Sequence, residues 1–147
     1  MNRIVFTAWI AALGVAGQDF HQPAPPAPKD FAVMAWGDSP SDAQQLQWMR
    51  EAGFNISGFC KPADLEKVRA AGLSCFVSFP PVGGVDLLHL PPENELRARF
   101  AELKKQIAGN PAATGVYLRD EPDAPSMPGL GVLSKLLRES MPDQWPY

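Results

Sequence analysis

At 147 residues, with 46% hydrophobic and 20% charged side chains, the chain has the make-up of one folded domain and not of a disordered polymer. A formal charge of -3 and a pI near 5.3 exclude the basic surface that would draw it to nucleic acid or to an anionic membrane, so a neutral substrate is expected. The 16 prolines exceed the usual share of roughly 5%, but they gather in one linker and at the edges of periodic segments, where they punctuate the chain.

The first residues have the form of an export signal. Arg3 gives a positive start, Ile4 to Val15 is apolar apart from Thr7, and Val15-Ala16-Gly17 supplies small residues for cleavage. The run is short of the roughly 20 apolar residues that span a bilayer, which sets aside a membrane anchor once the signal is removed. Residues 1–17 are therefore read as a signal peptide and 18–30 as a linker, because Gln22 to Pro28 is too rich in proline for a helix or a central strand. The mature protein is expected to be exported, periplasmic or extracellular, with its folded part over residues 31–147.

Within that part, apolar runs alternate with helical patterns. Phe31 to Trp36 reads as a first strand buried on both faces and closed by Gly37-Asp38-Ser39-Pro40. A helix follows, capped by Ser41 or Asp42, with Leu46 and Met49 on its apolar side and Gly53 as its stop. Phe54 to Phe59 is the second strand. The next helix has Pro62 in its first turn and Leu65, Val68 and Ala71 at three-residue spacing before Gly72. Leu73 to Phe79 is the third strand, and Pro80 to Pro92 is expected to be a loop with a hinge or turn at Gly83-Gly84.

The strongest helical pattern places Leu96, Phe100, Leu103 and Ile107 on one face. Glu93 and Glu95 lie near its start and Lys104 and Lys105 near its end, matching the helix dipole. Thr114 to Arg119 is the fourth strand. Leu130, Leu133, Leu137 and Met141 mark a last helix, after which Trp145-Pro146-Tyr147 opens another strand. Met34, Met49 and Met141 are core candidates.

Strict alternation of strand and helix implies an α/β fold with parallel strands and right-handed crossovers. About four βα units fit either a small doubly wound sheet or the N-terminal half of a (β/α)8 TIM barrel, and the strand opening at Trp145 favours the incomplete barrel. Export permits a disulfide between Cys60 and Cys75. With Cys60 at the end of one strand and Cys75 near the start of the next, however, the offset is on the order of 10 Å, and two buried free thiols are expected instead.

The chemistry is concentrated where the fourth strand ends, in Tyr117-Leu118-Arg119-Asp120-Glu121-Pro122. Alternation puts Val116 and Leu118 on one face and Tyr117, Arg119 and Glu121 on the other. A carboxylate at the C-terminal end of a barrel strand reads as catalytic, and burial beside an aromatic would raise its pKa as a general acid requires. The structural alternatives for Glu121 are an ion pair with Arg119 or a capping role at the Pro122 turn. Trp36, Phe59, Lys61 and Ser78 could line the same mouth. His89 reads as a solvated loop residue. No His- or Cys-rich spacing indicates a metal, and no cofactor is expected.

This strand end resembles the Asn-Glu-Pro motif of the retaining glycoside hydrolases with TIM barrels, and the stretch from Tyr117 to Tyr147, with Met141-Pro142-Asp143-Gln144-Trp145-Pro146-Tyr147, is similar to β-galactosidase-like barrel proteins of bacteria. The resemblance implies a carbohydrate substrate. It also implies that Glu121 is the acid/base catalyst and that Asp120, standing where the family has Asn, bonds a sugar hydroxyl. Arg119, Tyr117 and Trp36 are the further substrate-binding candidates. The family's nucleophile comes from a seventh strand, so these residues by themselves are expected to be inactive, since retaining hydrolysis needs two carboxylates about 5–5.5 Å apart. Two rivals remain: a non-catalytic α/β domain that binds carbohydrate or another partner and self-associates through open sheet edges, and a barrel enzyme in which Asp120 and Glu121 hold a divalent cation.

Overall fold

The computed structural model describes residues 31–147, so the expected signal peptide and linker lie outside the described residues. Four helical patterns of the sequence form helices. Asp42 caps α1 (Ala43–Glu51), its carboxylate accepting from the Gln45 N–H at 2.9 Å, and Leu46 is the residue that α1 buries. A single 3-10 turn at Pro62–Asp64 leads into α2 (Leu65–Ala70), which buries Leu65 and Val68. Leu96, Phe100, Leu103 and Ile107 are all buried along α4 (Glu93–Ile107), and α5 (Met127–Ser140) buries Leu133, Leu136 and Leu137. Between α2 and α4 lies a short helix missed in the sequence, α3 (Pro80–Gly83), started by two prolines whose missing N–H groups cost nothing in a first turn.

The strands are β1 (Ile56–Cys60), β2 (Ser74–Ser78), β3 (Ala113–Tyr117) and β4 (Trp145–Pro146). They form one all-parallel sheet in the order β1-β2-β3-β4, so each strand pairs with the one that precedes it in sequence. The expected first strand is reduced to two parallel bridges, Met34 with Ile56 and Asp38 with Phe59. This leading segment is held against β1 by the Phe59 N–H to the Gly37 carbonyl (2.9 Å) and the Ser39 N–H to the Phe59 carbonyl (2.6 Å). A bend at Trp36 and Gly37, where Gly37 takes a φ of 129°, breaks it as a continuous strand.

Among the described residues, every α-helix packs on the same side of the sheet. One apolar cluster joins Leu46, Val68, Val82, Phe100 and Leu133 to the strand residues Cys60, Val77 and Val116. Burying each such side chain stabilises the fold by about 1.5–3 kcal/mol. The opposite face carries a second, smaller cluster of Ile56, Phe59 and Phe76, flanked by Met34 and Tyr117. Met49 is packed against the main core and Met141 is buried within it.

Strand alternation is interrupted twice. Between Ile56 and Phe59, β1 spends three steps where β2 spends two, and a similar slip separates Cys75 from Phe76 opposite Ala113 and Gly115. The bulge in β1 falls at Gly58, whose φ of 103° is open to glycine and strained for other residues.

The expectation of two free thiols is overturned: Cys60 and Cys75 form a disulfide, with Cα atoms 6.1 Å apart. The bulge shortens the offset, because Cys60 comes to stand opposite Val77, only two residues beyond Cys75 and on the same helix-covered face. Both cysteines are buried, at 3% and 0% exposure, so the bridge lies within the core.

Candidate functional site at the strand ends

The C-terminal ends of parallel strands converge on one rim, and the leading segment, β1 and β2 shape a cleft of about 190 Å³ there. Asp38, Ser39 and Ser41 line one side and Lys61, Asp64 and Ser78 the other, with Phe59 between them. Lys61, Phe59 and Ser78, read from the sequence as lining one mouth with Glu121 and Trp36, are thus brought together, but Trp36, Tyr117, Asp120 and Glu121 do not line this cleft. Asp38, Ser39 and Asp64 were missed, although the polar pair directly after Gly37 marked a strand end. Ser39 is fixed by a 2.8 Å hydrogen bond with the hydroxyl of Ser57, the one buried polar residue among the described residues.

Below this rim the helix-free face is aromatic. Tyr117 packs on Phe59 with ring centroids 4.4 Å apart, Tyr147 lies 4.5 Å from Phe76, and Trp36 meets Phe59 edge to face at 5.3 Å. Trp36 does not end its segment, because Asp38 is the residue bridged to Phe59; the indole sits two residues short of the rim. An added Cβ on Gly115 would overlap the Trp145 carbonyl and stand 2.9 Å from the Phe76 ring, so only glycine leaves room for that ring.

Beyond β3 the expected alternation fails. The strand ends at Tyr117, and Glu121 lies four residues further in a bend, at a φ of 39°. A non-glycine residue in this left-handed region carries about 1–2 kcal/mol of strain. Asp120 and Glu121 are both exposed, and neither has a hydrogen bond or ion pair among the described residues. The burial expected for Glu121 is therefore not found, and the ion pair with Arg119 is not formed. Arg119 turns instead toward the 84–92 loop, where its Nη2 donates to the Val85 carbonyl at 2.7 Å while its buried Nε has no partner. The capping role at the next turn belongs to Asp123, which accepts from the Ser126 N–H.

The loop that Arg119 holds is packed down at two glycines. A Cβ on Gly83 would stand 2.7 Å from the Tyr117 carbonyl, and one on Gly129 of α5 would overlap the Leu87 carbonyl. Gly83 is thus a point of close backbone approach within α3, and of the expected hinge or turn it is the turn that forms, at Gly84. At the loop surface the Asp86 carboxylate lies 2.9 Å from His89 Nδ1 and accepts from the Leu88 N–H at 2.9 Å. The His89 contact first, and the Leu88 N–H second, hold the Asp86 carboxyl below its ordinary pKa. A carboxyl with a depressed folded-state pKa contributes stability above its unfolded value and loses it as pH falls through the folded one. Carbon-detected NMR titration is expected to show Asp86 ionising below the usual carboxylate range, and His89→Ala to move it upward; no movement would show that the pairing does not persist in solution.

A larger cleft, about 540 Å³, lies on the outer helical layer between α1 and α2. Its charged residues are engaged elsewhere, Glu66 with Arg69 and Lys67 with Asp64, so it presents no unpaired group for chemistry. Among the described residues no three His, Cys, Asp or Glu side chains gather as metal ligands, and no helix is long and apolar enough to cross a membrane. Comparison with family models, with curated proteins and with solved structures returned no match for this chain.

Proposed function

We propose that the chain is the N-terminal half of an exported, glycoside-hydrolase-like (β/α)8 barrel, acting on carbohydrate, with Glu121 as its acid/base carboxylate. The observation that carries the reading is Glu121 itself: an unpaired, exposed carboxylate held at positive φ just past the fourth parallel segment, counting the leading one. Strained backbone at a functional group is retained where surrounding structure holds it for a purpose. The single-sided arrangement of helices and the sequential strand order support a barrel over a doubly wound sheet, whose strand order reverses and whose helices cover both faces. A disulfide in the core supports an oxidising compartment, and with it export.

In this reading Asp120 and the strand-end groups Asp38, Lys61 and Ser78 bond sugar hydroxyls, and Tyr117, partly exposed above the buried Phe59, supplies apolar surface for a sugar ring. Arg119 acts by holding the 84–92 loop over the end of β3. Glu121 delivers a proton to the glycosidic oxygen, and the partner carboxylate comes from outside the four βα units. The test is hydrolysis of chromogenic glycosides by the open reading frame continued beyond Tyr147. Glu121→Gln is expected to lower turnover by about 10²–10⁴, while Glu121→Gly raises stability by about 1 kcal/mol through relief of the positive φ. Full activity in the Gln variant would remove Glu121 from the chemistry. A folded chain that binds oligosaccharide yet hydrolyses none would favour the non-catalytic binding domain, for which the cleft with its aromatic floor is the supporting feature.

A further inference from the structure

The composition of β1 does not choose its own alignment. A hydrophobic pattern fixes register by setting a buried face against a solvated one, yet all five residues of β1 are buried, so that contrast is missing. From the pairing of Ile56 with Ser74 two continuations are open. In regular alternation Phe59 would stand opposite Val77 on the helix-covered side, and Cys60 opposite Ser78 on the other. The bulge at Gly58 exchanges them: Phe59 pairs with Phe76 in the helix-free cluster, and Cys60 with Val77 in the main core. Cys75 belongs to that same core, so its bridge to Cys60 can close only in the bulged alignment. In the regular one the two side chains would leave opposite faces of the sheet.

We propose that the Cys60–Cys75 disulfide is a register latch. Closing it commits β1 to the bulged alignment, and with it Phe59 and Lys61 to the strand-end cleft; the reduced chain also visits the regular alignment, in which that cleft is not built. The sulfurs join with loss of two protons and two electrons, taken up by a partner disulfide that leaves as two thiols. Both cysteines are buried, so the folded chain shields the bond from further exchange and the latch is set once, as β1 docks on β2. The leading segment depends on the same choice, because the Phe59 N–H donates to the Gly37 carbonyl and the Phe59 carbonyl accepts from the Ser39 N–H. The inference involves neither Glu121 nor the ligand of the cleft, and stands apart from the proposed activity.

The first test compares the oxidised chain with Cys60→Ala combined with Cys75→Ala. Hydrogen exchange at the Phe59 and Ser39 amides is expected to accelerate by roughly tenfold or more beyond any acceleration in α4. Nuclear Overhauser contacts between Phe59 and Tyr117, whose ring centroids lie 4.4 Å apart, are expected to weaken with it. Equal acceleration in β1 and α4 would show that the bridge adds stability without choosing an alignment, and would overturn the proposal. The second test is a trap. Phe59→Cys combined with Cys60→Ala places a thiol that only the regular alignment brings level with Val77 and onto the face of Cys75. Mild oxidation of the folded variant is expected to join position 59 to Cys75, detected by peptide mass mapping. A folded variant whose two thiols both stay reactive would show that the regular alignment is not visited, which equally sinks the idea. Should this variant not fold, the exchange comparison decides alone.

Discussion

Gly58→Ala is expected to be among the most damaging single substitutions in the chain, lowering stability by roughly 2–5 kcal/mol. Two costs fall on one methyl group. Gly58 sits at a φ of 103°, outside the regions that residues with a Cβ ordinarily occupy. The added carbon would also overlap the Gly37 carbonyl oxygen and stand 3.0 Å from that of Ala35. Both oxygens belong to the leading segment, which is hydrogen-bonded to β1 and cannot retreat without losing the bond from the Phe59 N–H. Chemical denaturation beside a control at Gly131, where an added Cβ meets nothing within 4 Å, separates this cost from the generic effect of alanine. A Gly58 variant as stable as the Gly131 variant would mean that the bulge is not formed in solution.

The second large effect belongs to the disulfide. Cys60→Ser or Cys75→Ser is expected to cost about 3 kcal/mol, the loop-closure value for a bridge spanning a sequence separation of 15. The double variant should cost no more than either single one in that respect, because each already opens the loop. A buried hydroxyl in place of sulfur adds to the loss, so Cys60→Ala with Cys75→Ala isolates the constraint from the polarity. The measurement is thermal unfolding with and without reductant. Identical midpoints for oxidised and reduced protein would show that the two sulfurs are not joined.

Helices were legible in the sequence wherever apolar residues recur at helical spacing over several turns, as from Leu96 to Ile107, because burial on one face writes that period directly. Four of the five expected strands were equally legible; the first, and the strand ends, were not. Phe31 to Trp36 is as apolar as a strand, yet the bend at Trp36 and Gly37 leaves two bridges, because backbone conformation at a glycine is set by what packs against it. The bulges were invisible for the same reason, and they changed the chemistry: the slip at Gly58 brings Cys60 within reach of Cys75.

The candidate site followed a similar pattern. Alternation correctly separated Val116 and Leu118 from Tyr117, since those positions lie at or next to β3. It failed at Arg119 and Glu121, where the chain has left the sheet and each residue obeys its own local contacts. Asp38, Ser39 and Asp64 went unseen because a cleft is made by elements distant in sequence. Only the register between the leading segment and β1 assembles it.

The nearest-neighbour strand order also bears on how the protein is made. Each strand pairs with the one synthesised just before it, and the disulfide likewise joins consecutive strands. The sheet can therefore grow in the direction of synthesis, each new βα unit docking on a template already present, with little entropy spent on closing long loops. Such vectorial assembly suits a polypeptide that emerges N-terminus first, and it leaves the most recently added strand as the adhesive edge at every stage.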